Sequence, residues 1–192
     1  ELLAGEAGPE LIGESGGEGR DILLCHGLSA TRRYVVHGSR HLLRRGYRLT
    51  TYDARGHGES GAAESYVYER LVDDLDRVIE ARGIPSPLIF GGHSMGCHTV
   101  AAKALQTPEA VAALILIGPV YTGYGSDDER LDARAEAMVE SAEAFAEEVV
   151  GETEGELKGT VWRIARDRAR LHANRPAVAE ALREVPRSRP FD

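Results

Sequence analysis

Apolar and polar residues alternate in blocks along the first 120 positions, and each block has the length of one strand or one helix. Apolar residues recur at helical spacing over about 31–45, 66–82 and 95–106. Short apolar runs without period-two alternation predict buried strands, and they cover residues 21–25, 88–90 and 111–117. Residues 48–52 (Arg-Leu-Thr-Thr-Tyr) are predicted as a further strand between two helical segments. Regular alternation of strand and helix predicts an α/β fold with a mostly parallel sheet and flanking helices.

The segments outside this alternation are of two kinds. Residues 10–12 are compatible with one short edge strand before the first buried strand. Residues 121–185 are polar and helical, with predicted helices from 127 to about 149, from 157 to about 173 and from 176 to about 185. We therefore divide the chain into an α/β core (1–120), an all-helical block (121–185) and the start of a return to the core (186–192).

Residues 92–96 read Gly-His-Ser-Met-Gly and lie between an apolar strand and a helix. This pattern in this setting predicts a nucleophile elbow, with Ser94 on the corner. The competing interpretation is an anion-binding turn at a helix N-terminus. A phosphate loop would carry Gly-Lys-Ser/Thr, and the next lysine is Lys103.

Composition narrows the classes of function. A net charge of −8, from 23 basic and 31 acidic residues, argues against a nucleic-acid or anionic-membrane partner. No apolar run has the length of a membrane span, and the start of the chain shows no signal peptide. Cys25 and Cys97 lie in apolar stretches, which favours buried thiols and a cytoplasmic location. No His, Cys or acidic cluster has metal-ligand spacing, so we expect no metal and no cofactor.

Three motifs in order resemble those of the α/β-hydrolase fold superfamily over residues 21–120. They are His26-Gly27, residues 53–60 (Asp-x-Arg-Gly-His-Gly-x-Ser) and residues 92–96, and an apolar strand at 114–117 follows them. The resemblance implies Ser94 as the nucleophile. It also implies an oxyanion hole from the backbone N–H groups of Leu28 and Met95.

The same resemblance makes the helical block an inserted lid. Its candidate pocket residues are Tyr121, Met138, Phe145 and Trp162, although each is also compatible with an ordinary core position. A regulatory or partner-binding helical domain is the alternative interpretation of this block.

The polar residues of the motif loops need separate roles. His26 and His57 are expected to hydrogen bond with neighbouring backbone, Asp53 to brace its loop, and His98 to pack beneath the elbow. The superfamily's triad acid and histidine follow later strands, which have no counterpart in this chain, so the core is incomplete. We expect either a fragment of a longer protein, nearly inert by itself, or a degenerate relative.

The expected function is a serine hydrolase acting on a small ester, thioester or amide through an acyl-enzyme on Ser94. The alternative is a non-catalytic ligand-binding or scaffold relative that lacks a complete triad. Acyl transfer and perhydrolysis are equally compatible with the motifs. The partners expected are a small acyl substrate and either the missing C-terminal segment, as a separate chain, or a second copy.

Overall fold

The computed structural model describes residues 1–4, 7–36, 40–119, 128–141, 144 and 175–188. Six strands form one sheet in the order β1-β2-β4-β3-β5-β6. The strands are β1 (Leu2–Ala4), β2 (Leu11–Gly16), β3 (Arg20–Cys25), β4 (Tyr47–Tyr52), β5 (Leu88–His93) and β6 (Val111–Ile117). The α-helices with described bounds are α1 (Arg32–Val36), α2 (His41–Arg44), α3 (Tyr68–Ala81), α4 (Met95–Gln106), α5 (Asp128–Glu140) and α6 (Arg175–Glu184).

The four strands predicted to alternate with helices form the parallel part of the sheet. β3 pairs in parallel with β4 and β5, and β5 pairs in parallel with β6. β2 joins the other side of β4 in antiparallel orientation. β2 was expected to be a short edge strand, but it spans six residues and β1 covers its outer side.

Helices cover both faces of the central strands, which is why β3 and β5 are apolar at successive positions over 22–25 and 88–90. On one face, Leu23 and Phe90 belong to a cluster with Leu75 and Val78 of α3 and Val100 of α4. On the other face, the half-buried apolar residues of α1 and α2 pack against a second cluster, formed by Ile22, Leu24, Leu49 and Ile89.

Two predicted helices are interrupted in the structure. The helix expected over 31–45 is two short helices, and Arg40 before α2 has φ −100° and ψ 14°, outside the helical range. In the range expected as one helix from 127 to about 149, α5 ends at Glu140, Ser141 is not helical and Ala144 is helical again. The other positions between 142 and 149 lie outside the described residues. The helix predicted over 157–173 lies outside the described residues.

α5 and α6 pack against each other through Ala135, Met138, Val178, Ala179 and Leu182. Among the helices that the structure describes, none is both long and apolar enough to cross a membrane.

Candidate functional site

Ser94 occupies the corner between β5 and α4. Its backbone has φ 50° and ψ −115°. Residues other than glycine rarely adopt this combination, and it persists only where the surrounding structure enforces it. Its N–H donates to the carbonyl of Ile117 at 3.1 Å, which ties the corner to the end of β6. The residue is half-buried. A strained, partly accessible serine at a strand–helix junction is the geometry that the motif predicts.

Two glycines make this corner sterically feasible. A Cβ added at Gly92 would lie 2.2 Å from the carbonyl carbon of Gly96. A Cβ added at Gly96 would lie 2.3 Å from the carbonyl oxygen of Cys25. The first turn of α4 therefore rests directly on the backbone at the end of β3, which leaves no room for a side chain at either position.

We expect Gly96→Ala to destabilise the fold by about 1–3 kcal/mol, the usual cost of overpacking. The contacted atoms are backbone of Cys25 and His26, so no flexible side chain can move aside. The matched control is Gly16→Ala, because a Cβ there meets nothing within 4 Å. Urea unfolding of both variants measures the difference. Equal stability of the two variants would contradict the close packing of α4 on β3.

The loop after β3 approaches the same corner. A Cβ added at Gly27 would lie 3.2 Å from the Cβ of Ser94 and 2.8 Å from Nδ1 of His93. Leu28 follows and is half-buried, whereas Met95 is 4% exposed. The backbone segments that carry the N–H groups of Leu28 and Met95 therefore both adjoin Ser94.

His26 and His57 bond with backbone groups, as expected. The Nδ1–H of His26 donates to the carbonyl of Gly27 at 2.8 Å, and its Nε2 accepts the N–H of Ala54 at 2.9 Å. The Nδ1–H of His57 donates to the carbonyl of Arg55 at 2.9 Å, while its Nε2 accepts the N–H of Ser29 at 3.2 Å. These partners assign a neutral ring to each histidine. The two rings thus tie the loop after β3 to the loop after β4.

Asp53 is fully buried and braces these loops. Its carboxylate accepts the N–H of Arg32 at 2.7 Å and the N–H of Glu59 at 3.0 Å, and it also pairs with the Arg32 guanidinium. A Cβ added at Gly58, where φ is +52°, would collide with this carboxylate. The structural role expected for Asp53 agrees with these contacts.

Two buried polar contacts near the site were missed by the sequence analysis. Arg55 forms a two-bond pair with Asp74, at 2.7 and 2.8 Å, and its guanidinium also donates to the carbonyl of Ser65 at 2.8 Å. The Tyr68 hydroxyl and Nδ1 of His98 are 3.0 Å apart, so His98 makes a polar contact as well as packing. The partners in each pair are far apart in the chain, and no local pattern connects them.

Both thiols should be unreactive in the folded protein. Burial raises the pKa of the Cys25 thiol to about 12, and burial also raises the pKa of Cys97, whose Sγ donates to the carbonyl of Gly92 at 3.0 Å. Thiolate is the reactive form, so we expect negligible reaction with Ellman's reagent at pH 8. Both thiols should react after denaturation. Rapid reaction of the native protein would contradict the burial of these side chains.

The predicted pocket residues fall into two groups. Met138 is fully buried between α5 and α6, in a cluster against which Leu28 packs. Tyr121, Phe145 and Trp162 lie outside the described residues.

Comparisons with solved structures agree with this fold. A carboxylesterase structure from the thaumarchaeon Nitrososphaera gargenis superposes with a TM-score of 0.80 at 21% identity, covering 96% of this chain and 72% of that one. An enol-lactonase from Burkholderia xenovorans LB400 superposes with a TM-score of 0.75 at 22% identity, covering 94% of this chain and 71% of that one. At these identities the likeness concerns the fold.

Sequence relatives match a shorter stretch. The mouse (Mus musculus) sn-1-specific diacylglycerol lipase ABHD11 is 35% identical over 108 residues, which are 55% of this chain and 35% of that protein. A putative non-heme haloperoxidase of Mycobacterium phage D29 is 32% identical over 105 residues, which are 53% of this chain and 36% of that protein. The matched region thus spans about a third of these curated relatives, at 35% and 36% of their length.

The family model described as "alpha/beta hydrolase fold" matches residues 22–180, which include all three motif loops and most of the helical block. With the parallel sheet, the strained serine corner and the close-packed glycines, this match shows that the chain belongs to the alpha/beta hydrolase fold family.

Proposed function

We propose that this protein is a serine hydrolase that cleaves a small ester, thioester or amide through an acyl-enzyme on Ser94. The observation that carries the proposal is the backbone of Ser94, held at φ 50° and ψ −115° between a strand end and a helix N-terminus. Such strain is retained at functional sites because it places a side chain where a relaxed turn would not. Ser94 is half-buried rather than enclosed, which is compatible with access by a small acyl group.

The chemistry follows from the groups around the corner. Ser94 Oγ forms a bond to the substrate carbonyl carbon as its proton passes to a general base, and the carbonyl oxygen becomes an oxyanion. The N–H groups of Leu28 and Met95 are the proposed donors to that oxyanion. Collapse of the intermediate expels the alcohol, thiol or amine with the proton from the base. Water then attacks the acyl-enzyme, which releases the carboxylic acid and restores the serine.

His26 and His57 are not proposed as the general base, because both ring nitrogens of each are bonded to backbone groups. The base and its acid partner are proposed to come from polypeptide outside the described residues. The outer edge of β6 supports this proposal. Ile115, Leu116 and Ile117 are 43%, 44% and 51% exposed, and among the described strands β6 pairs with β5 on one side. A continuation of the chain, a separate chain or a second copy would cover this edge.

The proposal is tested by treating the complete protein with a fluorophosphonate probe and locating the adduct by mass spectrometry. We expect one adduct, on Ser94, and none in the Ser94→Ala variant. A folded protein that remains unlabelled, or one labelled at another serine, would overturn the proposed function and favour a ligand-binding relative of the same fold.

A further inference from the structure

α6 shares buried apolar clusters with the two segments that carry the proposed oxyanion donors. Ala177 and Ala181 of α6, and Val185 just after the helix, share a buried cluster with Met95. Leu28 packs against this cluster and also against the cluster between α5 and α6. The position of both donor segments therefore depends on how α6 is held.

The carboxylate of Glu184 attaches α6 to the core. One oxygen accepts the Ser65 hydroxyl and the other accepts the Tyr66 N–H, each at 2.7 Å. This receiving segment is itself fixed, since Arg55 donates to the carbonyl of Ser65 and Tyr66 is 3% exposed. The Glu184 carboxylate therefore connects α6 to a part of the core that is itself held in place, and this connection restricts the position of the helix.

Glu184 lies at a position of its helix where a negative charge needs stabilising contacts. It is the last residue of α6, where the helix dipole disfavours a negative charge. Glu180, one turn earlier, has a side chain 62% exposed and pairs with Arg183 of the same helix at 2.7 Å. The two glutamates therefore differ in function: Glu180 makes a local surface pair, whereas Glu184 bonds across the fold.

We infer that Glu184 is a positioning residue for acyl transfer, an inference that rests on the proposed function. By holding α6 in the clusters that contain Met95 and contact Leu28, it keeps the two backbone N–H groups pointed at the position of the substrate's carbonyl oxygen. A displacement of about 1 Å at a reacting centre is enough to lower a rate by about a hundredfold. Loss of the two hydrogen bonds should therefore reduce the rate of acylation more than it reduces binding.

The experiment compares Glu184→Ala and Glu184→Gln with Glu180→Ala in the complete protein. The maximal rate of fluorophosphonate labelling and the half-saturating probe concentration are measured well below the melting temperature. We expect the maximal rate to fall about ten- to a hundredfold in Glu184→Ala. Glu184→Gln, which keeps one acceptor oxygen, should be intermediate, and Glu180→Ala should stay within about twofold of wild type. A Glu184→Ala variant that loses thermal stability but keeps the maximal rate would overturn the inference.

Hydrogen–deuterium exchange separates this inference from the proposed function. In Glu184→Ala, the amides of 27–30 and 94–97 should exchange faster than in wild type and in Glu180→Ala. Unchanged exchange would overturn the positioning role whether or not the probe labels Ser94. Faster exchange in a protein whose Ser94 is never labelled would support the coupling of α6 to these segments and refute the hydrolase chemistry. Glu184→Gln provides the same measurement if the alanine variant does not fold.

Discussion

Ester hydrolysis by the complete protein is expected to fall by about a million-fold when Ser94 is replaced by alanine, as when the nucleophile is removed from other serine hydrolases. Alanine removes the hydroxyl but no buried hydrogen bond of the fold, because the contacts that hold the corner use backbone atoms of Ser94. The circular dichroism spectrum should therefore match that of wild type. The measurement is the turnover of a chromogenic short-chain ester, with the probe-labelling assay in parallel.

Ser94→Gly is the matched control for the geometry of the corner. It should be equally inactive, but more stable than Ser94→Ala by about 1 kcal/mol, because glycine relieves a strain of about 1–3 kcal/mol and costs about 0.5–1 kcal/mol in chain entropy. Residual activity in both variants within tenfold of wild type would exclude Ser94 as the nucleophile. Lower stability of the glycine variant would contradict the strained backbone.

The largest effect on stability is expected for Asp74→Asn, at about 3–5 kcal/mol. The Asp74 side chain is 1% exposed and receives Arg55 through two hydrogen bonds and Arg77 through a third. An amide in this place leaves the buried Arg55 guanidinium, 7% exposed, without a compensating charge. Chemical denaturation monitored by circular dichroism measures the change in unfolding free energy.

Asp73→Asn is the matched control, because it makes the same chemical change at the neighbouring position. Asp73 pairs with Arg70 at 3.0 Å, but the two side chains are 56% and 60% exposed. Solvent-exposed pairs contribute at most about 1 kcal/mol, so this variant should resemble wild type. Similar destabilisation by the two substitutions would show that the loss of stability in Asp74→Asn does not come from the burial of its ion pairs.

The parallel core was predictable because its signals are local. Residues 95–106 and 111–117 were predicted as a helix and a strand with the bounds that the structure has. Strands covered on both faces favour apolar runs, and the runs at 22–25 and 88–90 are visible in the sequence without knowledge of any contact. The single helix predicted over 31–45 was wrong because local apolar spacing does not reveal a break in the backbone. Its apolar spacing persists past Arg40, where the backbone leaves the helical range.

The glycines of the candidate site were also predictable, since a tight strand–helix corner excludes side chains at Gly92 and Gly96 whatever the rest of the fold does. The side-chain contacts that fix the neighbouring loop and α6 were not predictable. Asp74 lies 19 residues from Arg55, and Glu184 lies 118 residues from Tyr66. The local sequence around a glutamate near a helix end does not show whether its side chain faces solvent, as that of Glu180 does, or accepts a backbone N–H, as that of Glu184 does.

The sequence alone therefore determined the parallel α/β core, the order of its motif loops and the serine corner, because periodicity and steric exclusion act within a few residues. The tertiary structure decided which polar side chains are buried and paired, and that α6 rests on Leu28 and Met95. The physical reason is that a buried charge or a packed helix is stabilised by partners that the chain brings together only when it folds.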